Sequence, residues 1–162
     1  MAEGNEVYTD FVLSLLNAED TRKSSLEQRG IGIITVSGTL VTLLFGLTAA
    51  ITSAKDFTFP AAARGWLTWA AILFVLAAAA GIAVNTPLFY GTIVVERATL
   101  QSVWGDDAAD ARRAVTGVRL KRLHAAQRAN SIKAWILVAG TALELAAAAM
   151  LTVGIVDIIR PK

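Results

Sequence analysis

No charged residue stands between Arg29 and Lys55, and none between Arg64 and Glu96. A third block, Ala134 to Ile159, is flanked by Lys133 and Arg160 and contains only two acids, Glu144 and Asp157. Each block supplies the roughly 20 apolar residues that cross about 30 Å of hydrocarbon as a helix. A helix is required because lipid offers the backbone no hydrogen-bond partner. In a chain of 162 residues, 55% apolar, three such blocks leave too little polar sequence to cover them as core helices of a soluble protein. The sequence therefore predicts an all-α membrane protein with three transmembrane helices, at 30–54, 65–86 and 134–159, in one membrane domain over 1–162.

Orientation follows from the basic residues. Arg22, Lys23 and Arg29 precede the first span, and Arg97, Arg112, Arg113, Arg119, Lys121, Arg122, Arg128 and Lys133 lie between the second and third. Only Lys55, Arg64, Arg160 and Lys162 fall on the other side. Eleven against four predicts an N-in, C-out, multi-pass protein of the cell inner (plasma) membrane. Trp66 and Trp69 at the outer boundary, and Phe89, Tyr90 and Trp135 at the inner one, suit interfacial anchoring. Residues 1–10 are acidic rather than basic, so the N-terminus does not read as a signal peptide.

The polar segments read as helical cytoplasmic extensions. Over 5–28, Val7, Tyr8, Phe11, Val12, Leu15 and Leu16 recur at three- and four-residue spacing opposite Glu6, Asp10 and Asn17. The acids Glu3, Glu6, Asp10, Glu19 and Asp20 oppose binding to anionic lipid and favour packing against another helix. Pro87 marks a break, after which Ile93, Val94, Ala98 and Leu100 return to helical spacing in a basic loop over 88–133. Trp104-Gly105-Asp106-Asp107 reads as a turn and a helix start, with Asp110 also at the positive end of the helix dipole. The absence of proline from there to Ile159 predicts a cytoplasmic helix that runs on into the third span.

Among the basic residues, Arg112, Arg113, Arg119, Arg122 and Arg128 could bind an anionic ligand, a nucleotide phosphate or lipid headgroups; a solvated face that sets orientation is the favoured reading. No phosphate loop accompanies them, and no interleaved aromatics point to nucleic acid. The lone His124 lacks a second ligand at metal spacing, and without cysteine there is no thiolate site. No nucleophile–base pair is visible, so neither an enzyme nor a cofactor is expected, and no metal site.

Small residues recur every four positions in the spans. Gly38, Thr42, Gly46 and Ala50 mark the first, Ala77, Gly81 and Asn85 the second, and Gly140, Ala148 and Thr152 the third. Such rows let helix backbones approach closely, within the chain or between copies of a homo-oligomer. Glu144 falls in the third row near mid-span, where insertion of a charged residue costs roughly 2.5–3.5 kcal/mol. A carboxyl there is tolerated when hydrogen-bonded across a helix interface or facing a polar path for ions or protons. Ser37, Thr39, Thr42 and Thr68 are the candidate partners.

The stretch Arg22–Leu47 (RKSSLEQRGIGIITVSGTLVTLLFGL) resembles the opening of small integral membrane proteins of actinobacteria, and the basic helix Leu120–Ala134 (LKRLHAAQRANSIKA) fits the same pattern. The plan is similar to the transmembrane domain of Pycsar effectors of anti-phage defence, although the chain shows no separate nucleotide-binding domain. The resemblance implies oligomerisation and membrane disruption after a cyclic nucleotide signal. Two functions are therefore expected to compete. One is a homo-oligomeric membrane effector or pore, an ion path gated through its cytoplasmic helices. The other is a non-conducting scaffold or accessory subunit that recruits a protein partner there. Membrane lipids are expected partners of either.

Overall fold

The computed structural model describes residues 2–52, 60–87 and 107–159. Among these residues there are three helices and no strand: α1 (Ala2–Thr52), α2 (Ala61–Asn85) and α3 (Ala108–Ile159). All three are long and apolar enough to cross a membrane. At 1.5 Å per residue the 25 residues of α2 extend about 38 Å. Both α1 and α3 are continuous, of 51 and 52 residues, and each joins a polar half to an apolar half without interruption. The expectations resting on Lys55, on Phe89 and Tyr90, on residues 93–100 and on Trp104 to Asp106 involve positions outside the described residues.

The ends of α2 have local causes. Pro60 (ψ 135°) precedes the first turn, and its carbonyl accepts from the Arg64 N–H at 3.1 Å. The helix therefore starts at Ala61, four residues before the expected Gly65. At the other end, a residue before proline is driven out of the helical region. Thr86, next to Pro87, is accordingly extended (ψ 133°), and its N–H closes the last turn on the Ile82 carbonyl at 2.9 Å. In α3 the carbonyl of Asp107 accepts from the N–H groups of Asp110 and Ala111, at 2.9 and 3.1 Å.

The chain divides into two compact units: Met1–Leu26 with Pro87–Lys133, and Glu27–Thr86 with Ala134–Lys162. The second, apolar unit is a three-helix packing. In α2 the buried residues are Ala63, Leu67, Ala70, Phe74, Ala77, Gly81 and Val84, alternating steps of four and three. That repeat of 3.5 is the seam of a left-handed coiled coil. On α1, buried Gly30, Ile33, Ser37 and Leu44 follow the same repeat, and on α3 buried Leu137, Gly140, Ala147 and Gly154 do so with half-buried Glu144 and Leu151. Ile33 meets Gly140 and Ser37 meets Glu144, so α1 and α3 run parallel here. The helix α2 runs against both, since Gly81 lies by Gly30, Ala80 by Gly140 and Leu67 by Gly154.

Glycine is required where α1 and α2 meet. A Cβ added to Gly81 would stand 2.7 Å from the Gly30 carbonyl oxygen and 2.8 Å from Cγ1 of Ile34. Outside the seam the unit carries large exposed apolar side chains, among them Leu43 and Phe45, Trp69 and Val75, and Trp135 and Leu145. A helix that is apolar all round belongs inside a large core or a membrane.

The polar unit pairs the first part of α1 with the first part of α3, again in parallel. Glu6 meets Arg112 at 2.9 Å, and the Thr9 and Thr116 hydroxyls lie 3.3 Å apart. Val12, Leu16 and Leu123 form the core, with Leu15 and Leu120 against it. Asn130 Nδ2 donates to the Glu19 carbonyl at 2.9 Å and to its carboxylate at 2.8 Å. Half of the apolar face expected on 5–28 stays open: Val7, Tyr8 and Phe11 are 71%, 48% and 58% exposed.

Candidate functional site

The sequence offset between facing residues is 107 both for Thr9 with Thr116 and for Ser37 with Glu144. In the polar unit Thr116 and Asn130 stand seven residues before and after Leu123 on the α3 seam, and in the apolar unit Glu144 stands seven residues after Leu137 on that unit's seam. Polar side chains at such positions fix which helices pair and in what register, at a cost in stability. Each bonds to α1 within its own unit. Ser37, Thr116, Asn130 and Lys133 are all buried polar residues, and Lys133, read from sequence as a loop cation, is 1% exposed and partnered. Their signal in the sequence is the 3.5-residue repeat, which rows of four-residue spacing conceal.

Glu144 is half-buried on the α1-facing side of α3, where Oε1 accepts from Ser37 Oγ at 3.3 Å. Of the four expected partners Ser37 is the one bonded. The hydroxyls of Thr39, Thr42 and Thr68 instead donate to the carbonyls of Thr35, Gly38 and Arg64. Glu144 also lines an open groove of about 620 Å³ between α1 and α3, walled by Gly32, Ile33, Val36, Val138 and Leu145, with Arg29 also on its lining. No residue of α2 lines it. Two further grooves, involving α2, are lined by Trp66, Trp69 and Met150, and by Phe45, Leu67 and Arg64 with their neighbours. Neither lining contains a carboxylate.

The small-residue rows divide. Gly81 and Gly140 are buried between helices, with Ala77 beside them, and Ala148 is half-buried. Gly38, Thr42, Gly46 and Ala50 are exposed, and a Cβ on Gly38 or Gly46 would meet nothing within 4 Å. The cause is helical pitch. A four-residue step turns about 40° past a full circle, so a strict row walks off a near-parallel seam, whereas a seven-residue step drifts by only about 20°.

The basic residues of α3 do not converge. At about 100° per residue, Arg112, Arg119 and Arg122 share one side and Lys121 and Arg128 the opposite one. Arg112 pairs with Glu6, and Arg113 pairs with Asp110 at 3.3 Å. His124 is exposed, and among the described residues no three His, Asp or Glu side chains are grouped as for a metal. Comparison of the chain with protein-family models, curated proteins and solved structures gives no match.

Proposed function

We propose that this chain is a three-span, N-in, C-out protein of the inner membrane that works as a homo-oligomeric effector or pore, gated through its cytoplasmic helices. Parallel α1 and α3 with antiparallel α2 in the apolar unit support the span count, because successive spans must alternate in direction. The observation that carries the reading is Glu144. Its carboxyl is held by one serine hydroxyl and opens on a groove that α2 leaves uncovered. A polar group so placed in a lipid-facing groove is costly unless another polar surface or a wet path meets it. Disruption of the membrane in anti-phage defence is the setting that the Pycsar resemblance implies.

Induced expression in cells loaded with a potential-sensitive dye tests the proposal. Depolarisation is expected, with and without added cyclic nucleotide as separate arms, and Glu144→Ala or Gly46→Leu should reduce it. Expression at normal level with no change of potential in either arm would overturn it.

A second reading, the non-conducting scaffold, draws on the exposed Val7, Tyr8 and Phe11 of the polar unit, an apolar strip suited to a partner helix. Affinity purification would then recover one stoichiometric protein partner, lost on Phe11→Glu. A pure homo-oligomer would exclude it.

A further inference from the structure

We infer that the Glu144 groove is closed by the outward face of α1 from a second copy of this chain, in a head-to-tail contact that repeats around a ring. The inference rests on the homo-oligomer proposed above and names its interface.

The groove asks for a polar occupant. A carboxyl offers about four lone-pair sites, and Ser37 supplies one donor at 3.3 Å, longer than the usual 2.7–2.8 Å between hydroxyl oxygen and acceptor. An acyl chain laid between Ile33, Val36, Val138 and Leu145 would suit the walls and leave the remaining sites unmet, which is expensive in a medium without water. The occupant must therefore bring hydroxyl or amide groups to this level. It also needs room to approach, and the α1 wall provides it at Gly32, where an added Cβ meets nothing within 4 Å.

The same chain carries a matching surface. The α1 seam (Gly30, Ile33, Ser37, Leu44) lies on one side of the helix. At about 100° per residue, Thr35, Thr39 and Thr42 lie on the opposite side, all exposed. In a ring whose axis runs along the helices, every residue keeps its level. Glu144 lies at the level of Ser37, to which it bonds. Thr35 and Thr39 of a neighbouring copy stand two residues below and above that level, roughly 3 Å along the axis. Their hydroxyls now donate to the carbonyls of Ile31 and Thr35, at 3.0 and 2.8 Å. Each can turn from a carbonyl that keeps its helical N–H partner to the carboxyl.

On α1 the groove lining (Arg29, Ile33, Val36) and the threonine face are centred about 100° apart, with Gly32 at their border, so a copy that fills one neighbour's groove leaves its own groove for the next. Such a heterologous contact closes into a ring when the rotation allows it. Glu144 would then recur once per subunit, at one depth, at every interface.

The chain has no cysteine, so introduced thiols report without background. Thr39→Cys and Leu145→Cys, made singly and together in the full chain, place thiols at matching levels on the two surfaces. Oxidation in native membranes should give the double variant a ladder of dimers, trimers and higher species, while each single variant remains monomeric on denaturing gels. Two measurements on the same samples, ellipticity and the mass of the detergent-solubilised particle, verify folding and assembly. An oligomeric particle without a ladder overturns the head-to-tail contact and leaves the homo-oligomer standing, as does a ladder that stops at a dimer with Thr39→Cys alone. Phospholipid retained in native mass spectrometry with no ladder overturns it in favour of a lipid occupant. A monomeric particle overturns both this contact and the oligomer beneath it.

Discussion

Substituting Gly81 by alanine should separate α1 from α2. The new methyl carbon would lie 2.7 Å from the backbone oxygen of Gly30 and 2.8 Å from Ile34 Cγ1, against 3.4 Å or more for ordinary contact. Neither neighbour is the loose end of a flexible side chain, so the helices must part by several tenths of an ångström. A gap of 0.5–1 Å forfeits a quarter to a half of each dispersion contact, and overpacking of this kind costs about 1–3 kcal/mol. The same change at Gly38 meets nothing within 4 Å and gains up to about 1 kcal/mol in helix propensity. The same gain applies at Gly81 and cancels, so Gly81→Ala should be the less stable of the two by about 1–3 kcal/mol. The assay is reversible unfolding in mixed micelles of rising denaturing-detergent fraction, followed by ellipticity and by tryptophan fluorescence. If Gly81→Ala unfolds at the same detergent fraction as Gly38→Ala, the close approach of α1 and α2 is wrong.

Other substitutions test separate parts of the packing. Phe74, with no exposed surface, should cost about 3–5 kcal/mol on truncation to alanine, read by the same unfolding assay. Glu19→Ala and Asn130→Ala should be coupled by about 0.5–3 kcal/mol in a double-mutant cycle; additive effects would refute their half-buried hydrogen bond. Arg112→Ala removes a pair whose side chains are 51% and 61% exposed, so the stability loss should stay below about 1 kcal/mol and shrink with added salt.

The long helices were legible because charge is absent from 30–54 and 65–95, a signal that needs no knowledge of partners. Continuity of α3 was legible too, from the lack of proline between Asp107 and Ile159. Glu144 stood out for the same reason as the spans did, as an acid where none is expected. The residues it meets were less legible. Four hydroxyls matched its depth, and which one faces it depends on the rotation of α1, fixed by Gly30, Ile33 and Leu44 together. The seam was hidden because small residues recur at both three and four positions, and a row such as Gly38–Gly46 is as regular in sequence as the row that packs. Val12 and Phe11 show the same limit: both are apolar and adjacent, yet the first is 1% exposed and the second 58%. Only the position of α3 decides between them.

Parallel pairing of α1 with α3 also sets the order in which the molecule is completed. Contacts between Gly30 and Gly81 join neighbouring helices, whereas Ser37 must find a residue 107 positions later in the chain. Synthesis at about 5–20 residues per second puts roughly 5–20 s between the two. During that interval α1 and α2 can pair as a hairpin while the serine side of α1 remains open. Each newborn chain thus passes through a two-helix stage in which the α1 surface destined for α3 is accessible to other proteins, including an α3 made by a neighbouring ribosome.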